Sequence, residues 1–251
     1  FIKLYEGSII MILAVLCVRN EAEHLPTFLK HLRRYVDGFL VLDDGSSDST
    51  INILEKEKKV KFIIKKKVTN QLDWDEPENR KEVIRKAYEL GANWILCCDP
   101  DERFEKRFLR KIKKLISTND FICYGVHFRE LYNGIKQYRT DGVWDTKTKF
   151  ILFPLQEQMS FDNYCRRHHI PWEYKEIENN KQLLDYNLYH LKMVDIEDRK
   201  KRASLYNYLD PNKEMQAIGY DYLFDDTNLK TEKINYKNRY NYKCLPKKYR
   251  I

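Results

Sequence analysis

The chain opens on an unbroken apolar run, Ile9 to Val18, and then changes period: Leu25, Phe28, Leu29, Leu32, Tyr35 and Val36 recur at helical spacing until Gly38. A continuous aliphatic and β-branched run is the pattern of a strand covered on both faces of a parallel sheet, and Pro26 suits a first helical turn. A second strand, Phe39 to Leu42, runs into the polar turn Asp43-Asp44-Gly45-Ser46-Ser47-Asp48, whose later residues can cap a helix carrying Ile51 and Leu54. The alternation continues with a strand from Val60 to Ile64 and a helix from about Asn79 to Leu90, stopped by Gly91. A buried strand from Trp94 to Cys98 and a basic helix from about Phe104 to Ile116 follow.

Strands and helices in alternation imply right-handed crossovers, a mainly parallel central sheet, and ligands at the carboxyl ends of the strands. The expected fold class is therefore α/β, with residues 8–120 as a nucleotide-binding half. In residues 121–234, a less regular segment completing the same domain, Phe121 to Phe128 and Lys149 to Phe153 are expected as strands added at the sheet edge. Asp162 to Tyr189 shows no clear period, and a helix is expected from near Ile196 to about Leu209. Residues 235–251 carry six Lys or Arg and no acid, the composition of an exposed basic tail or interaction segment.

Composition adds a little. With 251 residues and 43% hydrophobic content the chain can bury a core, and a net charge of +8 favours anionic partners without saying which. Cys17, Cys97, Cys98, Cys123, Cys165 and Cys244 form no C-x-x-C pair, which reads as reduced thiols in a reducing compartment such as the cytoplasm. The run from Ile9 to Val18 is about half the length of a membrane span. The chain begins with Phe1, and one domain of a longer protein is an open reading.

The strongest chemical signal is Asp99-Pro100-Asp101-Glu102 directly after a buried strand. Carboxylates two apart on an extended backbone face the same way and can meet one hard cation, Mn²⁺ or Mg²⁺, which in turn binds a diphosphate and stabilises charge building on a leaving group. A helix N-cap with acidic first-turn residues is the competing reading, and the position at a strand end favours the metal. Asp43 and Asp44, at the end of the second strand, can accept from a base N–H or a ribose hydroxyl, and Gly45 lets backbone approach a ligand. Val18-Arg19-Asn20-Glu21 leaves the first strand at the same sheet edge.

Together these segments resemble family 2 glycosyltransferases of the GT-A fold: Val18-Arg19-Asn20-Glu21, Leu25-Pro26, Val41 to Thr50, and Asn93-Trp94-Ile95-Leu96 leading into Asp99-Pro100-Asp101-Glu102. Within that family the chain looks most like the branch of lipopolysaccharide-core and capsule sugar transferases. The resemblance implies transfer of a hexose from a nucleoside diphosphate sugar to a glycan, lipid-linked or protein acceptor in polysaccharide biosynthesis, inverting and metal-dependent. It implies that Cys17, Val18, Arg19, Asn20, Glu21, Asp43 and Asp44 contact the nucleoside and that Arg80 approaches ribose or diphosphate. By the same carry-over Asp99 and Asp101 hold the metal, Asp99 is shared with ribose, and Glu102 lies beside them or near the donor sugar.

An inverting transfer needs a base for the acceptor hydroxyl. The candidates are Asp145, beside Trp144, and the group His168, His169 and Glu173 around Pro171-Trp172. Related enzymes show a His-Glu pair here, whereas Ile170 follows His169. His190 resembles a second family histidine, structural or facing the pyrophosphate.

A dinucleotide-binding G-x-G-x-x-G and a G-x-x-x-x-G-K-[ST] loop are both absent from the sequence, which disfavours those classes. The alternative is a non-catalytic module of the same fold that binds nucleic acid or a membrane surface through Lys106 to Lys114 and the basic tail. A solvated lysine face explains both stretches more simply, so no nucleic-acid partner is expected, and the tail is compatible with peripheral attachment at the inner membrane face.

Overall fold

A computed structural model describes residues 10–67, 74–117, 121–161, 171–214 and 216–250. Its centre is an eight-stranded sheet in the order β3-β2-β1-β4-β8-β6-β9-β5. The first half supplies β1 (Ile12–Val18), β2 (Gly38–Asp43), β3 (Val60–Lys65) and β4 (Trp94–Cys97), all parallel to one another. Helices α1 (Leu25–Leu32), α2 (Thr50–Lys56) and α3 (Glu76–Glu89) connect them. Every residue of β1, β2 and β4 is buried, as their unbroken apolar runs require. Alternate side chains of β1 and β2 serve two cores: Ala14, Leu16, Phe39 and Val41 pack with α1, while Leu13, Val15, Leu40 and Leu42 pack under Val83 and Ile84 of α3.

The short strand β5 (Glu102–Phe104) follows the acidic turn, and α4 (Lys106–Ile116) begins only after it. The expected helix start at Phe104 is thus corrected. Glu102, Arg103 and Phe104 are all buried and pair antiparallel with the end of β9 (Lys181–His190), a cross-strand partner that no local pattern announces. The helix itself buries Phe108, Leu109, Ile112 and Ile116 and turns its lysines outward.

The second half contributes β6 (Cys123–Glu130), β7 (Gln137–Arg139), α5 (Val143–Thr146), β8 (Thr148–Pro154), β9, α6 (Ile196–Leu209) and β10 (Thr231–Lys233). The edge position expected for the strands at 121–128 and 149–153 is also corrected. Strand β8 pairs antiparallel with β4, and β6 lies between β8 and β9, so both sit inside the sheet. Their apolar content reflects that central place. Strand β9 runs parallel to β6, with Glu130 opposite His190, and β7 pairs with β10 in a separate two-stranded sheet.

The expectation of an exposed C-terminal tail does not hold. Tyr240, Cys244, Leu245 and Tyr249 are buried against Leu131, Tyr189 and Leu191, while Asn235, Tyr236, Lys237 and the interleaved Lys243, Lys247, Lys248 and Arg250 face solvent. The basic count suggested solvation, but the tyrosines and leucine between the charges carry enough apolar surface to anchor the segment. The described cysteines Cys17, Cys97, Cys98, Cys123 and Cys244 are free and buried, as expected; Cys165 lies outside the described residues. Among the described residues no helix is long and apolar enough to cross a membrane.

Candidate nucleotide and metal site

The loops leaving β1 and β2 are tied into one unit. Asn20 adopts a left-handed conformation, φ 57°, tolerated by asparagine better than by most residues. Its Oδ1 accepts from the backbone N–H of Ser47 at 2.8 Å, while its own N–H donates to Ser46 Oγ at 2.9 Å. Glu21 N–H donates to Thr50 Oγ1 at 2.9 Å, and Asp44 N–H to the Val18 carbonyl at 2.8 Å. Arg19 donates through Nε to the Asp44 carbonyl at 2.7 Å and pairs with Asp44 Oδ2. Asp43 accepts from Ser46 N–H at Oδ2, and its buried Oδ1 has no hydrogen-bond partner among the described residues.

Helix α3 is capped by Asp75, which accepts from Glu78 N–H, and lays Asn79 and Arg80 on its buried face. Arg80 pairs with Glu76 and lies 4.4 Å from the centroid of the Trp172 ring. Its charge reaches Asp99 and Cys17. The Cys17 thiol, enclosed at the end of β1, is pushed up by burial and stays protonated.

At the acidic turn, Asp99 N–H donates to Glu102 Oε2 at 2.9 Å and Glu102 N–H to the Asp99 carbonyl at 3.0 Å. Lys149, from β8, donates to Asp99 Oδ2 at 2.8 Å and also to Glu102. Burial raises Glu102 to about 7 against the pull of Lys149. Asp101 is buried, and its Oδ2 receives His190 Nε2 at 2.8 Å and lies 3.3 Å from Lys192 Nζ. Arg202, from α6, stands 4.0 Å from the same oxygen. Burial opposes ionisation of Asp101, but Lys192 and His190 outweigh it and hold the carboxyl well below its usual range.

His190 is held at both ends. Glu130 Oε2 faces its Nδ1 at 2.5 Å, and although burial works against its charge, Glu130 and Asp101 raise its pKa to about 9. The ring therefore donates from both nitrogens at neutral pH. Lys192 also reaches Glu21 Oε1 at 3.0 Å, and so joins the acidic turn to the loop after β1.

The structure thus gathers Cys17, Val18, Arg19, Asn20, Glu21, Asp43, Asp44, Arg80, Asp99, Asp101 and Glu102 at the carboxyl ends of β1, β2 and β4. Of the described base candidates, Asp145 is held elsewhere. Asp145 is held by Arg129 at 2.7 Å, and Arg129 alternates with Glu130 on β6, so this pair lies on the strand face away from His190. Glu173 is buried, pairs with Lys181 at the start of β9 and directly follows Trp172, the ring that stacks on Arg80. His168 and His169 lie outside the described residues. Lys149, Glu130, Lys192 and Arg202 were not anticipated from the sequence. The signals available were a lysine opening an otherwise apolar strand, a carboxylate closing one, and a lysine two positions after His190.

Residues 13–167, more than half of the chain, match the profile of glycosyl transferase family 2. The chain belongs to that family. No curated protein matches this family 2 chain by sequence. Among solved structures, TarS from S. aureus is 11% identical with a TM-score of 0.49, the alignment covering 83% of this chain and 44% of TarS. The chain therefore spans less than half the length of that relative. A putative nucleotide-diphospho-sugar transferase from Desulfovibrio desulfuricans G20 is 10% identical with a TM-score of 0.45, covering 82% of this chain and 90% of its own. Glucosyl-3-phosphoglycerate synthase from Mycobacterium tuberculosis, solved with Mn²⁺, UDP and glucosyl-3-phosphoglycerate, is 16% identical with a TM-score of 0.33, covering 48% of this chain and 44% of its own. The fold is the GT-A nucleotide-binding fold of the family.

Proposed function

We propose that this family 2 member transfers a hexose from a nucleoside diphosphate sugar to a hydroxyl of a glycan or glycoconjugate, with inversion, using Mn²⁺ or Mg²⁺ held by Asp99 and Asp101. The observation that carries the reading is Asp101 Oδ1. It belongs to a carboxylate kept ionised in the turn, yet it is buried without a hydrogen-bond partner among the described residues, the state of an oxygen that fits a cation. Among the described residues no three His, Cys, Asp or Glu side chains converge on one point. Two aspartates with diphosphate oxygens and water are the ligand set that Mg²⁺ commonly takes. Such an ion, when bound, supplies neutralisation of the charge that develops on the leaving diphosphate.

The protein's own side chains do the rest. Glu130 and His190 hold the Asp101 carboxylate in one orientation. Lys149, Lys192 and Arg202 surround the turn with fixed positive charge in a partly enclosed site, where a diphosphate ester is favoured and its departure as an anion is stabilised. Asp44, with the loop from Cys17 to Glu21, receives the nucleoside. Arg80, stacked on Trp172, directs its charge towards Asp99 and the diphosphate.

Calorimetric titration of the chain with nucleoside diphosphates, with and without Mn²⁺, tests the reading. The wild-type chain is expected to bind one of them in a manganese-dependent way, and Asp101→Asn to lose that dependence while keeping its melting temperature within a few degrees. An Asp101→Asn variant with undiminished manganese-dependent binding would remove the metal assignment.

A further inference from the structure

The two basic stretches of the sequence, Lys106 to Lys114 and residues 235–251, meet in the fold. The backbone N–H of Lys106, at the start of α4, donates to the Arg239 carbonyl at 3.2 Å. Arg103 donates to the Cys244 carbonyl at 2.6 Å and to Thr27 Oγ1 at 2.8 Å, which draws α1 to the same place, with Lys30 one turn after Thr27. Arg110 stands one turn beyond Lys106, Lys243 precedes Cys244, and Arg250 donates through Nε to the Leu245 carbonyl at 2.9 Å. Lys30, Arg110, Lys243 and Arg250 are exposed, and Lys106 and Arg239 are half-buried.

Cations at the rim are paired, Arg107 with Glu105 and Lys248 with Glu23 and Asp198. These six are not: among the described residues none of them is paired with a carboxylate, and neither α4 nor residues 235–251 contain Asp or Glu. Burial, with the charges of Arg239, Arg110 and Lys243, holds Lys106 below the usual lysine range. Like charges gathered in this way repel one another until a dense anion meets them. Two features favour a flat anionic surface over a nucleic acid. Tyr240 and Tyr249 are buried and Tyr242 packs on Tyr240 at 4.7 Å, so the surface lacks a row of free rings on which unpaired bases stack. Helix α4 is buried along Phe108, Leu109, Ile112 and Ile116 and presents its charges as a layer, not as a helix free to enter a groove. Tyr236, 73% exposed with Arg239 over its ring at 3.8 Å, adds an aromatic of the kind that sits at the level of lipid headgroups.

We infer that this joined surface of α1, α4 and the C-terminal segment docks the chain on a lipid bilayer that carries anionic headgroups. Each Lys or Arg close to such a surface strengthens attachment about fivefold, so several acting together hold a protein there without an inserted segment. The inference does not depend on the nucleotide-sugar reading. It does set the acidic turn close to the bilayer, because the one side chain of Arg103 reaches from the Cys244 carbonyl to the Pro100 carbonyl. An acceptor carried on a lipid is the class that this placement suits.

Co-sedimentation of the full chain with vesicles tests this. Vesicles of phosphatidylcholine alone are compared with vesicles of equal parts phosphatidylcholine and phosphatidylglycerol at about 0.1 M salt, where charges act over about 10 Å. The wild-type chain is expected to bind the mixed vesicles and not the neutral ones. Combining Lys30→Gln, Arg110→Gln and Lys243→Gln removes one exposed cation from each element of the surface, and none belongs to the candidate site. Combining Lys58→Gln, Lys61→Gln and Lys67→Gln lowers the net charge equally through exposed lysines in and around β3, at the opposite edge of the sheet from β5. Both triple variants are expected to melt with the wild-type chain. The first is expected to weaken binding at least about tenfold, its single variants about fivefold each, and the second less than about twofold. Failure of the wild-type chain to bind the mixed vesicles, or equal binding to the neutral ones, overturns the inference. So does equal weakening by the two triples, the result that net charge alone produces. A single-stranded oligothymidylate that strips the chain from the mixed vesicles at equal phosphate concentration overturns it in favour of nucleic acid.

Discussion

His190 Nε2 lies 2.8 Å from Asp101 Oδ2 across 89 residues of sequence, and Glu130 braces the opposite nitrogen of the same ring. One carboxylate of the acidic turn is thereby oriented by the far end of the sheet. Strands β6 and β9 bring Glu130 and His190 level with each other, and β5 pairs with β9 so that Glu102 faces His190 in register.

From this arrangement His190 is a positioning residue, and its loss is expected to weaken metal affinity rather than the fold. Replacement by Gln, which cannot donate to both carboxylates at once, is expected to raise the Kd for Mn²⁺ about 10- to 100-fold. Nucleoside diphosphate binding measured without metal is expected to change little. Manganese titration by calorimetry or paramagnetic resonance checks this, and an unchanged Kd would leave His190 without the role given to it.

A second prediction concerns His31 of α1. Its Nε2 accepts from the backbone N–H of Phe104 at 2.9 Å, and burial, with the charge of Arg103, lowers its pKa to about 3. The unfolded chain takes up a proton near pH 6.5 that the folded chain refuses until about pH 3. This contribution to stability is therefore complete above pH 6.5 and lost as pH falls, by about 1.4 kcal/mol per unit. Glu102, raised to about 7, acts in the opposite sense below pH 7, so wild-type stability alone is a poor gauge. Comparison with His31→Gln, which keeps an acceptor and cannot titrate, isolates the histidine. Relative to that variant, the wild-type chain is expected to lose ground in urea melts as pH goes from 7.5 to 5; a constant difference would count against a neutral His31.

Arg103 provides a third. Fully buried beside the acidic turn, it donates to the Pro100 carbonyl at 2.8 Å, the Glu102 carbonyl at 2.7 Å, the Cys244 carbonyl at 2.6 Å and Thr27 Oγ1 at 2.8 Å. Arg103→Met leaves these acceptors unpaired and is expected to cost about 3 kcal/mol or more. Lysine cannot reproduce the fork, so Arg103→Lys is expected to recover only a part. Deletion of residues 240–251 is expected to lower the melting temperature comparably; a truncated chain melting with the full one would show that the C-terminal segment carries no such burden.

The first half of the fold was legible because its signals are local. Apolar runs name β1, β2 and β4, and helical spacing with Gly91 as a stop names α3 to within a few residues. The carboxylates at the strand ends were legible for the same reason. The groups that govern them were not, because they arrive through long-range pairing. Lys149 belongs to a strand inserted between β4 and β6, and Lys192 follows a strand whose sequence, KQLLDYNLYH, has no clean alternation. Five buried residues of the C-terminal segment, Tyr240, Cys244, Leu245, Pro246 and Tyr249, are masked in the sequence by the lysines between them, whose charge dominates the local composition.

The contact between Arg103 and Cys244 joins positions 141 apart in the chain. During synthesis the acidic turn leaves the ribosome long before the carbonyl that completes its support. Until the segment around Cys244 has docked, Arg103 lacks one of its acceptors. At a synthesis rate of about 5–20 residues per second, that interval lasts on the order of ten seconds. A chain interrupted before Cys244 keeps the Pro100, Glu102 and Thr27 acceptors of Arg103 but lacks the fourth, so the support beneath the acidic turn is among the last contacts that synthesis completes.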